Sequence, residues 1–211
     1  MADLVSGRYG QLNPLAQLIG ISNASQSDIP ARSNAEYLGF GSWTDGALAG
    51  TGILCVVPVP VDPGTVVSYV SIIVGGTGAS TPTHQFAALY SGTNVAAPPL
   101  IGQSTDTTTA AIAASGALTY TLTTATAITP AQAPYGFIYA GVSITGSTIP
   151  TAAAVSVPTA VGYQWFTSST TPKGNAALGL SLTSGSALGA TAAATLASPT
   201  AKAVAPIVIL T

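Results

Sequence analysis

The chain has very little charge. Of its 211 residues only 5% are Asp, Glu, Lys or Arg, against about a quarter in an ordinary soluble domain. Beyond Asp45 the only charged side chains are Asp62, Asp106, Lys173 and Lys202. Histidine and cysteine occur once each, as His84 and Cys55. One Cys excludes an internal disulfide, and its setting in Ile-Leu-Cys-Val-Val reads as a small buried hydrophobe. One Cys and one His make no closed zinc site, which takes about four ligands. There is no basic patch for nucleic acid: residues 1–106 hold six acids and two Arg, and residues 107–211 only two Lys.

Further absences narrow the class. No stretch reaches the roughly 18 consecutive apolar residues of a spanning helix, because Gly and Pro interrupt every candidate, so no membrane insertion is expected. The N-terminus places Asp3 before Arg8 and has no continuous apolar run, which makes it a poor secretory leader. No repeat of fixed period is visible, which argues against a solenoid. The glycine run Gly75-Gly76-Thr77-Gly78 lacks the Lys and spacing of a phosphate loop. Gly141-Val-Ser143-Ile-Thr-Gly146 misses the nucleophile-elbow spacing by one residue and reads as a strand entering a turn. A Ser-His-Asp triad would have to be built on His84, which lies at a strand start as a partly exposed sheet residue. Two carboxylates for glycoside hydrolysis could come only from Asp62 and Asp106 in the β-region. The residues therefore predict no catalytic site, no cofactor and no metal.

What fills the chain instead is Thr, Ser, Gly, Ala and Val, with 15 Pro and 23 Gly, a composition of short strands broken by turns. Residues 1–45 differ, holding six of the ten charges and no sustained alternation. They read as an irregular N-terminal arm with one short helix over Pro14–Ile19, Asn13 capping it and Gly20 just past its end. Leu15, Leu18 and Ile19 would form a small sticky face on a helix too short to stand alone. The arm is either a strap over its own domain or an attachment segment gripping a partner.

Residues 46–211 read as one β-sandwich domain. Val66–Val74 is apolar on both faces, as in a central strand, and lies between Asp62-Pro63-Gly64 and the glycine run. In Ala117–Thr124, Leu118, Tyr120 and Leu122 alternate with Thr119, Thr121 and Thr123, the pattern of a half-buried strand. Gln85–Ser91, Tyr135–Thr145, Ala152–Val157 and Ala205–Leu210 are further strands, while residues 174–198 read as irregular strands and loops. The predicted architecture is all-β, a jelly-roll-like antiparallel sandwich. The aromatic segment Tyr163-Gln-Trp165-Phe166 has binding character, since rings on a loop can stack on sugars. Trp165 could equally plug one end of the core, and Trp43 carries the same ambiguity.

With the strands placed, four strings stand out: Phe86-Ala-Ala-Leu-Tyr-Ser-Gly, Leu100-Ile-Gly-Gln-Ser, Leu118-Thr-Tyr-Thr-Leu and Pro134-Tyr-Gly-Phe-Ile-Tyr-Ala-Gly-Val-Ser-Ile. Over about residues 60–211 the chain resembles jelly-roll β-sandwich domains in virion proteins of tailed bacteriophages, notably those of actinobacterial hosts. The resemblance implies a tail fibre, minor tail protein, or head decoration or head-fibre protein, often trimeric. It brings no catalytic residues to carry over. Its implied partners are further copies of the chain, other virion proteins and a host surface glycan, and its implied place is the virion, assembled in the host cytoplasm. A free carbohydrate-binding module using Trp165 is the alternative from another class.

Overall fold

The computed structural model describes residues 31–32, 44–48, 50–92, 97–156, 181–184, 188–196, 200–202 and 204–211. The helix expected at Pro14–Ile19 with Leu15, Leu18 and Ile19, and the aromatics Trp43, Tyr163, Trp165 and Phe166, lie outside these residues. The described chain is all-β. Its strands are β1 (Ala31–Arg32), β2 (Thr44–Ala47), β3 (Cys55–Pro60), β4 (Val66–Ile73), β5 (His84–Ser91), β6 (Leu100–Gln103) and β7 (Ala117–Ala127). They continue with β8 (Phe137–Thr145), β9 (Thr151–Ser156), β10 (Ser181–Thr183), β11 (Thr200–Lys202), β12 (Val204–Pro206) and β13 (Val208–Leu210). Every pairing between them is antiparallel.

Three sheets result: β1-β13-β4-β7, β11-β10-β3-β8-β5-β6 and β12-β9-β2. Period-2 alternation explains how the first two meet. Val67, Val70 and Ile72 of β4, Tyr120 and Leu122 of β7, and Val208 and Leu210 of β13 point from the four-stranded sheet into the main core. Val57 and Val59 of β3, Ala87 and Leu89 of β5, and Ile138, Ala140, Val142 and Ile144 of β8 meet them from the six-stranded sheet. The alternate residues of those strands, Val56, Phe86, Ala88, Tyr90, Phe137 and Tyr139, form a second buried cluster on the other face, with Leu54, Leu196, and the partly buried Leu188 and Ala192.

The strand expected to be apolar on both faces is thus not β4. That strand buries one face and leaves Val66 and Tyr69 exposed. The doubly covered strands are β3, β5 and β8, whose two faces fill two different cores. The half-buried reading of β7 agrees with the structure: Tyr120 and Leu122 are buried, and Thr119, Thr121 and Thr123 face solvent.

Two prolines in β3 fit their positions. Strand β10 pairs β3 at Cys55 and Val56, so among the described residues no strand pairs with β3 on that side at Pro58 and Pro60. Their missing N–H groups then remove no ladder bond.

The segment Ala205–Leu210, expected as one strand, is split. Pro206 ends β12 in the three-stranded sheet, Ile207 donates its N–H to the Ala153 carbonyl, and β13 starts at Val208 in the four-stranded sheet. The boundary expected at residue 45 falls inside β2, and β1 also lies N-terminal to it. Both strands hydrogen-bond into sheets, β1 against β13 and β2 against β9.

Candidate functional site

Among the described residues, a cluster of ionisable side chains lies where β5 begins. His84 is the first residue of β5, and its Nδ1 is 2.6 Å from Asp106 Oδ2 in the loop after β6. The other carboxylate oxygen of Asp106 accepts the Gln85 backbone N–H at 2.8 Å. The Gln85 side chain, 1% exposed, donates to the Ala110 carbonyl at 2.7 Å and accepts the Tyr120 hydroxyl at 3.0 Å. Thr107 N–H returns to the Gln85 carbonyl at 2.9 Å. Three elements converge here because loop 104–116 folds back across the start of β5 and β7 supplies Tyr120 from the core side.

The sequence marks His84 as lone and partly exposed, and the structure agrees, with 37% of its side chain exposed. The partner it acquires was not legible. Asp106 stands 22 positions away in a turn-like context, and only the loop closure joins the two. An imidazole held by a carboxylate supplies two parts of a nucleophilic triad. Among the described residues no hydroxyl bonds the other ring nitrogen. Thr145, opposite His84 across β5 and β8, has a buried Oγ1 without a hydrogen-bond partner among the described residues. These bonds fasten loop 104–116 to the start of β5.

Asp62 sits in the turn after β3, and partial burial holds its carboxyl above the ordinary carboxylate range. It precedes β4 in the chain, whereas His84 begins β5 and Asp106 follows β6. Among the described residues, no group of three or more His, Cys, Asp or Glu could hold a metal ion. Cys55 is buried, as its setting predicted. Ser143 is buried in β8 and donates to the Gly52 carbonyl at 3.1 Å, the place of a strand residue before a turn.

Asp45, the last residue of the expected arm, lies on β2, and its Oδ2 accepts the Gly76 N–H at 2.9 Å. Thr151 Oγ1 accepts the Thr77 N–H at 3.0 Å. A Cβ on Gly75 would collide with the Asp45 carboxylate, so the glycine run serves close approach of β2 to this loop. Among the described residues, no helix is long and apolar enough to cross a membrane. No protein-family model, curated protein or solved structure matches this chain.

Proposed function

We propose that the chain is a non-enzymatic structural protein of a phage virion, a tail fibre or minor tail protein. In this reading it is a homotrimer with a jelly-roll-like sandwich projecting outward, attached to other virion proteins through its N-terminal segment. The observation that carries the proposal is where the four resembling strings fall: on β5, β6, β7 and β8, four consecutive strands. The surface chemistry supports it. The outward row Thr119, Thr121 and Thr123 presents hydroxyls instead of ion pairs, and hydration of that kind is not screened by salt. Apolar surface left over on a charge-poor chain is removed from water by symmetric association.

The test is to label particles with an antibody against this chain and image them, and to repeat the imaging with residues 1–30 deleted. That deletion leaves every described strand in place. Label on the tail, lost on deletion, supports the proposal. Label on the capsid replaces it with a decoration or head-fibre protein, and particles without label overturn it.

A further inference from the structure

The turn from β3 to β4 contains the chain's one Asp-Pro pair, Asp62-Pro63. Pro63 suits the second position of the turn Asp62-Pro63-Gly64-Thr65, and Gly64 at the third has a φ of 96°, where glycine is unstrained. The Thr65 N–H closes the turn by donating to the Asp62 carbonyl at 3.1 Å. Residues 128–136 brace it, through the Gly64 N–H on the Ile128 carbonyl at 2.7 Å and the Val61 N–H on the Gly136 carbonyl at 3.1 Å. Of the described carboxylates, that of Asp45 accepts the Gly76 N–H and that of Asp106 holds His84 and Gln85. The carboxyl of Asp62 has no hydrogen-bond partner among the described residues. Burial raises its pKa with no contribution from a charged neighbour. The elements against the turn, β3, β4 and residues 128–136, carry no charged side chain, and their titratable groups are Cys55, Tyr69 and Tyr135.

We propose that Asp62-Pro63 is a self-cleavage site, cut in mild acid by the carboxyl of Asp62 itself, and that the two pieces stay joined after the cut. The nitrogen of Pro63 belongs to a tertiary amide without an N–H, which takes up a proton and leaves more readily than an ordinary peptide nitrogen. In the cut, an oxygen of the Asp62 carboxyl bonds to the main-chain carbonyl carbon of the same residue. The bond from that carbon to the Pro63 nitrogen breaks, its electron pair stays with the nitrogen, and the carboxyl proton goes there too. Pro63 becomes a free N-terminus and Asp62 a cyclic anhydride, which water opens to two carboxylic acids. The turn assists this chemistry. The Thr65 N–H polarises the carbonyl under attack and stabilises the negative charge that develops on its oxygen. The unbonded carboxyl is free to swing onto it, and burial preserves its proton-bearing form to higher pH than in an exposed acid. Pairing explains why the pieces stay joined. Strands β1, β2 and β3 precede the cut but pair with β13, with β9, and with β8 and β10, all of which follow it. Val56, Val57 and Val59 of β3 are also buried in the two cores. The cut is independent of the particle to which the chain belongs.

The test holds the full chain at the lowest pH at which its β-sheet circular dichroism signal is intact, and in parallel at neutral pH. Both are sampled over days by mass spectrometry in denaturant. Pieces of residues 1–62 and 63–211, together one water heavier than the parent, should accumulate in acid and not at neutral pH. Asp62→Asn keeps the shape of the side chain but removes the attacking carboxyl, and should abolish the acid cut. Pro63→Ala, at an exposed position, restores an ordinary peptide nitrogen and should slow it. The wild-type chain unfolded in urea at the same acid pH loses the Thr65 donor and should be cut about tenfold more slowly. Returned to neutral pH without denaturant, the cut chain should elute from a sizing column as the parent does. The proposal fails if no pieces appear in acid, or if Asp62→Asn is cut as fast as the wild-type chain. It fails too if the unfolded chain is cut as fast as the folded one, which would leave only the acid lability common to Asp-Pro bonds. Separation of the pieces on the column would overturn its second half.

Discussion

A single carboxylate, Asp106, organises the polar cluster at the start of β5. Its two oxygens hold the His84 ring and the Gln85 N–H, and Gln85 in turn joins Ala110 and Tyr120. Removing one member of such a network leaves the others desolvated and unbonded, which costs about 1–3 kcal/mol for each buried group orphaned. Asp106→Ala should therefore lower the unfolding free energy by an amount in that range, seen as a lower denaturant midpoint at unchanged slope. Asp106→Asn retains an oxygen for the Gln85 N–H and should lose less. Tyr120→Phe leaves Gln85 Oε1 without its donor and should fall between them. Unchanged midpoints in all three would mean that water replaces these contacts and that the loop is held by other bonds. The sequence shows His84 and Asp106 as isolated residues. It cannot show their pairing, because a contact made by loop closure has no period and no local motif.

Elements were legible to the extent that they alternate. Strand β7 has one dry face and one wet one, and the Leu/Tyr against Thr pattern names both. Strands β3, β5 and β8 are dry on both faces, and a continuous apolar run says nothing of which residues go to which core. The break at Ile207 and the pairing of β2 with β9 depend on partners far along the chain, so local pattern could not reveal them.

Glycines mark where elements approach closely, and two of them should respond differently to the same change. A Cβ on Gly141 of β8 would run into the carbonyl oxygen of Cys55 on β3, and backbone at the centre of a sheet cannot move aside. Gly141→Ala should cost more than about 4 kcal/mol, the range of severe core lesions, and yield little folded protein. A Cβ on Gly75 would meet chiefly the carboxylate of Asp45, an exposed side chain that can turn away. Gly75→Ala should cost about 1–2 kcal/mol. Combining it with Asp45→Ala should give less than the sum of the two effects, a coupling of about 0.5 kcal/mol or more in a double-mutant cycle on thermal melts. Additive losses would show that Thr151, the other neighbour of that Cβ, sets the clash.

At the scale of the whole molecule, the second buried face of the six-stranded sheet sets how the protein meets alkali. Tyr90 and Tyr139 are buried there, and Tyr120 is buried in the main core. Burial pushes the Tyr90 phenol from 10.0 up to about 12. Burial also raises Tyr139; for Tyr120 burial and then the charge of Asp106 act in the same direction. Above pH 10 the unfolded chain has released these protons while the folded chain keeps them, so the unfolded state binds fewer protons and stability falls as pH rises. Stability from these groups is complete below about pH 10; the part from Tyr90 is lost between roughly pH 10 and 12, and the parts from Tyr120 and Tyr139, which are raised further, begin to be lost over the same range. The expected result is a joint transition, with tyrosinate absorbance and loss of the β-sheet circular dichroism signal rising together in that window. Full ionisation of all tyrosines with the sheet signal intact would contradict the burial argument. Tyr139→Phe sharpens the test, because its hydroxyl has no hydrogen-bond partner among the described residues. Removing that hydroxyl deletes an ionisable group and orphans no neighbour, so neutral-pH stability should hold or rise and the alkaline midpoint should move up. Tyr90→Phe removes a group of the same kind but also its 3.0 Å bond to the Ala193 carbonyl, which fastens residues 188–196 over this face. Its alkaline midpoint should likewise rise, but from a lower stability at neutral pH.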